Sequence, residues 1–158
     1  MTRTCSNLTV VDVDDTPEEA AFRAEARRWL EANALPKGHP DDFSQGLWTE
    51  AYDEDAYMER CTAWQHTLYD AGWAGITWPT AYGGRGGRPI DQVIFNQEQA
   101  RFGVSSGAFM ISIGMAGPTI LAHGTPEQRD RFLRPMLRGD ELWCQLFSEP
   151  GAGSDLAT

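Results

Sequence analysis

The sequence has few cysteines and little positive charge. Cys5, Cys61 and Cys144 are odd in number, far apart and outside any C-x-x-C arrangement. Neither a disulfide framework nor a thiolate zinc site is therefore expected, and a reducing, cytoplasmic compartment is indicated. With 13 Lys and Arg against 23 Asp and Glu, the formal net charge is −10. This balance offers no basic surface to nucleic acid or anionic lipid, so neither is expected as a partner.

Long apolar runs are also missing. Residues 102–122 contain no charged residue, and the length of this uncharged stretch is close to the roughly 20 residues that span a bilayer. Four glycines, one proline and three serines interrupt it, so it predicts buried helices with a break and no membrane span. Residues 1–15 lack the apolar segment of a signal peptide and are expected to form a flexible leader.

Capping signals and apolar periodicity predict an all-α region over residues 16–141. Thr16-Pro17-Glu18-Glu19 and Thr125-Pro126-Glu127-Gln128 each combine a capping hydroxyl, a proline at the first helical position and a side-chain acceptor at the third. Apolar residues recur at helical spacing after each signal and between them. The pattern predicts five or six helices: one that begins at about residue 17 and ends before the loop at 35–46, four over about 53–71, 89–102, 106–115 and 118–123, and one that begins at about residue 126.

Two glycine-rich loops are candidate anion sites. Residues 83–87 match neither a P-loop nor a Rossmann turn, and are interpreted as a structural loop. Residues 151–154 follow the bulky segment 142–148, which is predicted to be a β-strand. The free N–H groups and the hydroxyl of this second loop suit a phosphate, so ligand binding and a structural role remain equal alternatives.

Single titratable residues give weaker indications. The three histidines are widely separated, and no Gly-x-Ser-x-Gly elbow is present. A metal site or a nucleophile is therefore not expected. Glu98 occupies the polar face of a predicted helix and is interpreted as a solvated or cap-paired carboxylate and not as a general base.

The motifs are more informative in combination. They are, in order, Trp78-Pro79-x-x-Tyr82-Gly83-Gly84, the uncharged stretch, Gly124-Thr125-Pro126-Glu127-Gln128, Gly139-Asp140-Glu141 and Ser148-Glu149-Pro150-Gly151-Ala152-Gly153-Ser154-Asp155. This order resembles the amino-terminal region of the acyl-CoA dehydrogenases over about residues 16–158. The resemblance implies an N-terminal helical domain over 16–141 and, over 142–158, the start of a middle β-domain. It also implies that the chain is truncated relative to the family.

The resemblance implies an FAD-dependent oxidoreductase of lipid catabolism. Such an enzyme converts an acyl-CoA to a trans-2-enoyl-CoA, passes electrons to an electron-transferring flavoprotein and forms homo- or hetero-oligomers, typically tetramers. In the family the catalytic carboxylate belongs to a C-terminal bundle, so no residue of this chain is assigned as catalytic and the chain alone is expected to be inactive. The alternatives are a flavin-dependent monooxygenase or oxidase on the same scaffold, and a non-catalytic assembly subunit.

The same resemblance assigns cofactor and substrate contacts. Gln145, Phe147 and Ser148 match residues that line the isoalloxazine ring, and Gly153 and Ser154 match residues near the pyrophosphate, with Ser154 also near the pantetheine end of the substrate. Many members have an aromatic residue where this sequence has Gln145. The loss of ring stacking there favours a bulky or branched acyl substrate.

The uncharged stretch is the candidate acyl pocket. In the family the corresponding helix borders the acyl tunnel, so the resemblance assigns Ser106, Met110 and Gly114 to the acyl chain. A small residue such as Gly114 would leave space for the substrate. Ordinary core packing is an equal alternative for these three residues.

Overall fold

The computed structural model describes residues 14–46 and 53–146. Its five α-helices are α1 (Pro17–Asn33), α2 (Glu54–Asp70), α3 (Pro89–Gln99), α4 (Gly117–His123) and α5 (Pro126–Arg138). Short 3-10 turns at Thr80–Tyr82 and Gly107–Phe109 and a π-helical turn at Ser112–Ala116 lie between them. The only strand-like pairing in the described residues is one isolated bridge between Pro36 and Phe102. The predicted all-α class is confirmed.

Both predicted capping boxes form. At α1 the Thr16 hydroxyl accepts from the Glu19 N–H, and the Glu19 carboxylate accepts from the Thr16 N–H. Thr125 and Gln128 make the same reciprocal pair at α5. Each box satisfies backbone donors that a helix start would otherwise leave unpaired, and therefore fixes where the two helices begin.

Aromatic rings form the centre of the core between α1, α2 and α3. Trp73 and Phe95 stack with their centroids 4.9 Å apart. Trp29 of α1 lies 5.6 Å from Trp64 and 5.7 Å from Trp73. Leu30, which is fully buried, packs against this cluster. The apolar stripe predicted for α1 is therefore the side of the helix that faces the core.

A second cluster joins α5 to the loop after α2. Leu133, Met136 and Leu137 of α5 are fully buried and pack with Trp78. The apolar pattern of α5 predicts Phe132 as a core residue together with these three, but Phe132 is only half-buried. Its ring packs edge-on against another half-buried indole, that of Trp143, at 5.2 Å.

The segment predicted as a strand is not one in its described part. Residues 142–146 have no regular secondary structure, because no described segment lies beside them to supply the pairing that a strand needs. The backbone there pairs with a side chain instead, since the Trp143 N–H donates to the Ser112 hydroxyl at 2.9 Å. Residues 1–13 and 147–158, which include most of the predicted leader and the second glycine loop, lie outside the described residues.

Within the two described ranges, each helix is too short or too polar to cross a bilayer.

Candidate functional site

A groove of about 550 Å³ opens between α3, the loop after α2 and the helical turns that begin at Gly107. None of the described residues that line it is charged, although 23% of the chain is Asp, Glu, Lys or Arg. Its size and uncharged lining are those of a small-molecule pocket.

One wall of the groove is an irregular helix. The chain turns through a 3-10 turn at Gly107–Phe109, a π-helical turn at Ser112–Ala116 and then α4. A π-helical turn inserts an extra residue into a helix and is frequent at functional sites. Phe109 is buried, but Met110 is 69% exposed. The expectation that this helix is buried on most faces is wrong, because the described residues pack against only one of its sides.

The three predicted acyl contacts meet at this wall. Ser106, Met110 and Gly114 all line the groove. The Ser106 hydroxyl oxygen is buried and, among the described residues, has no hydrogen-bond partner. A Cβ added at Gly114 would meet no atom within 4 Å. The geometry therefore gives these residues access to one shared space, and their contact with an acyl chain stays a prediction.

A second wall of the groove is polar, and the motifs described above do not indicate it. Gln92, Asn96 and Gln99 follow one another along α3 and line the groove beside Phe95. The Gln92 amide nitrogen donates to the Asn96 amide oxygen at 2.8 Å. Their helical spacing places the three amides on one side of α3, a signal that was available in the sequence.

The first glycine loop is structural. Its amides are used inside the fold, since the N–H groups of Arg85, Gly86 and Gly87 donate to backbone carbonyls at 2.7–2.9 Å. A Cβ at Gly84 would collide with the backbone of Trp78. The interpretation of residues 83–87 as a structural loop is confirmed, because N–H groups that are already paired cannot bind an anion.

Glu98 is a buried ion centre, contrary to its interpretation as a solvated carboxylate. It is 3% exposed and accepts hydrogen bonds from Arg27 at 2.8 and 2.9 Å, Arg23 at 3.1 Å and Arg101 at 3.2 Å. These bonds, above all those from Arg27, lower the pKa of Glu98 from 4.5 to about 2, against the opposing effect of burial. A carboxylate with so low a pKa is a weak base and is unsuited to proton abstraction. The role of Glu98 is structural, because its hydrogen bonds with Arg23 and Arg27 tie α3 to α1.

The predicted flavin contacts are described only in part. Gln145 is exposed, and the segment around it is held to the groove wall through Ser112 and Trp143. Phe147, Ser148, Gly153 and Ser154 lie outside the described residues. The described residues therefore form no cradle for an isoalloxazine ring, and the five assignments stay predictions.

The histidines do not gather into a metal site in the part of the chain that the structure describes. His66 lies 3.2 Å from Asp140, which also pairs with Arg138 at 2.6 Å. The Arg138 guanidinium lowers the pKa of Asp140. This pairing joins the outer side of α2 to the end of α5, as expected for a surface contact.

Comparison with known proteins gives consistent matches. Residues 16–140 match the family model described as "Acyl-CoA dehydrogenase, N-terminal domain". The chain is 41% identical over 142 residues to the protein named Acyl-CoA dehydrogenase IpdE1 of Mycolicibacterium smegmatis, a match that covers 89% of this chain and 35% of that protein.

Two solved structures are similar in sequence and fold. The ChsE4-ChsE5 complex from Mycobacterium tuberculosis matches with a TM-score of 0.67 and 31% identity, over 91% of this chain and 33% of that one. The Tcur3481-Tcur3483 steroid ACAD matches with a TM-score of 0.70 and 28% identity, over 93% of this chain and 35% of that one. The chain thus spans about a third of the length of the relatives it matches.

Proposed function

Because this chain belongs to the acyl-CoA dehydrogenase family, we propose that it is the amino-terminal part of an FAD-dependent enzyme that oxidises a CoA thioester to its trans-2-enoyl form. The observation that supports this function best is the uncharged groove, which places Ser106, Met110 and Gly114 around one space of about 550 Å³. In the proposed enzyme this groove holds the acyl group and excludes water from it.

The chemistry requires groups outside the described residues. FAD, when bound, supplies the acceptor for the hydride that leaves the β-carbon, and a carboxylate from beyond this chain takes the α-proton. In this proposal the segment from Gln145 onward contributes one side of the flavin site, through Phe147, Ser148, Gly153 and Ser154. The part that the described residues play is to orient the acyl group.

A bulky acyl group is the substrate class we favour. The groove is wide where Gly114 lacks a side chain, and one similar solved structure is described as a steroid ACAD. A steroid-like acyl-CoA, processed in cytoplasmic lipid catabolism, fits both observations.

The proposed assembly is a hetero-oligomer that passes electrons to an electron-transferring flavoprotein. One similar solved structure is a complex of two different proteins, which supports a partner subunit. The same observation favours a second candidate, in which this chain is a non-catalytic assembly subunit and the partner holds the flavin.

Turnover by the intact protein tests these functions. We expect the full polypeptide, purified with any partner subunit, to reduce an artificial dye in the presence of a bulky acyl-CoA and to form the enoyl-CoA. Rapid reoxidation of the reduced flavin by O₂ would favour the monooxygenase or oxidase alternative. If flavin is found only in sites formed by the partner subunit, the result would favour the second candidate, in which this chain is a non-catalytic assembly subunit.

Replacing Gly114 with phenylalanine should narrow acyl specificity. The phenyl ring would enter the open space beside Gly114 and reduce the volume of the groove that is left for the substrate. We expect the intact enzyme to lose activity on bulky acyl-CoAs and to retain it on short ones, which a series of thioesters would measure. An unchanged substrate profile with unchanged thermal stability would contradict the assignment of the groove.

The 158-residue chain alone should not bind FAD tightly. It supplies one segment of the proposed flavin site, and its loop N–H groups and hydroxyls contribute about 0.5–1.5 kcal/mol each. A micromolar site needs roughly 8 kcal/mol. Titration of the purified chain with FAD, followed by flavin fluorescence, measures this. Stoichiometric submicromolar binding would show that these residues make the site without the rest of the enzyme.

A further inference from the structure

We propose that the amide-lined wall of the groove recognises an uncharged oxygen substituent, a ketone or a hydroxyl, on the acyl group. This inference rests on the proposed function, because it takes the groove to be the acyl site. It goes further in that it names a chemical group on the substrate and the side chains that select it.

The wall presents polar groups that are free to bind. The Gln92 amide nitrogen donates to the Asn96 amide oxygen at 2.8 Å, so the Asn96 NH₂ group is the end left to donate elsewhere. The Gln99 amide, one turn further along α3, has no partner among the described residues and is half-buried. Two amide groups are thus available to one ligand.

The other groups of the groove define what that ligand can be. Met110, Gly114 and Pro118 of the irregular helix line the same groove with apolar atoms, which suits a carbon skeleton. No described lining residue is charged, so a carboxylate or an ammonium group on the acyl chain would be buried without a counter-charge at high cost. The Ser106 hydroxyl, buried and without a partner among the described residues, supplies another uncharged polar group at the same groove.

A plain hydrocarbon chain is the poorer fit. Once it covered the amide wall, the N–H groups of Asn96 and Gln99 would lose water and gain no acceptor, which is unfavourable. A carbonyl or hydroxyl oxygen on the acyl group would accept hydrogen bonds from these N–H groups in place of the lost water. A site built to bind an oxygen in this way discriminates strongly against the analogue that lacks it.

The test compares two thioesters in the intact, flavin-loaded protein: cyclohexylpropanoyl-CoA and its ring-ketone counterpart. We expect wild-type kcat/KM to be higher for the ketone. Gln99→Leu and Asn96→Leu should each lower the value for the ketone roughly fivefold, the effect of one neutral hydrogen bond. Neither variant should lower the value for the hydrocarbon, because leucine leaves no amide to lose its water. Gln97→Leu is the matched control, because Gln97 is an exposed amide of α3 outside the groove.

Binding measurements separate the two claims. Calorimetric titration of both thioesters into the same variants reports recognition without turnover. If the ketone binds more tightly and the preference falls in Gln99→Leu, recognition is supported even where no oxidation is seen, and the dehydrogenase function then fails alone. If the enzyme oxidises both thioesters and the variants reduce both equally, or match Gln97→Leu, the amide wall does not select the substrate.

Discussion

Glu98→Gln should lower the free energy of unfolding by about 3 kcal/mol at neutral pH. The shift of the Glu98 pKa from 4.5 to about 2 corresponds to that energy at 1.36 kcal/mol for each pKa unit. The amide cannot replace the carboxylate as the common acceptor for Arg23, Arg27 and Arg101. Three guanidinium groups, two from α1 and one from the turn after α3, would then lose their shared counter-charge. Urea denaturation of the purified protein, followed by circular dichroism, measures the difference.

The same substitution should change the pH dependence of stability. Because the folded-state pKa is lowered, the stabilisation is complete above the ordinary pKa of 4.5 and is lost as the pH falls towards 2. The difference between wild type and Glu98→Gln should therefore shrink over this range. Glu25→Gln is the control, since its pair with Arg85 is half exposed and should contribute less than about 1 kcal/mol. Equal losses in both variants, or a difference that is constant with pH, would contradict the buried ion centre.

Gly117→Ala should destabilise the fold by about 2 kcal/mol, as overpacking in a tight core does. A Cβ at Gly117 would collide with the six-membered ring of Trp78. That indole is itself buried among Leu133, Met136 and Leu137, so it cannot move aside freely. Thermal unfolding, monitored by tryptophan fluorescence, should show a lower midpoint.

Gly114→Ala is the matched control, three residues earlier in the same helical wall. A Cβ there meets nothing within 4 Å, and alanine restricts the unfolded chain more than glycine does. We expect no loss of stability and a gain of up to about 1 kcal/mol. Opposite signs for the two substitutions would support the packing described here. A loss of similar size at both sites would instead indicate a general need for glycine in this helix.

Much of the fold could be predicted because its determinants are local. The capping boxes at Thr16 and Thr125 involve residues three apart, and the apolar stripes of α1 and α5 repeat within one helix. The Glu98 centre could not be predicted in the same way. Its strongest partner, Arg27, is 71 residues away, and a carboxylate on a polar helix face gives no sign of a distant arginine.

The site was predictable on one side only. The resemblance to the acyl-CoA dehydrogenases assigns Ser106, Met110 and Gly114 to the acyl chain, and the structure places these three residues along one groove. The spacing of Gln92, Asn96 and Gln99 puts their amides on one side of α3, but the sequence does not show that this side borders a groove. Only the packing of the fold shows that. The strand expected at 142–148, of which residues 142–146 are described, depends on neighbours that the described residues do not supply.

The link between Ser112 and Trp143 makes the segment between them a closed loop. The Ser112 hydroxyl accepts from the Trp143 N–H at 2.9 Å, and the two residues are 31 positions apart. The loop that they close contains α4 and α5. The hydrogen bond from Trp143 to the Ser112 side chain therefore fixes the distance between the two ends of this loop. Insertions or deletions between the two helices would change the direction in which the chain continues past Trp143.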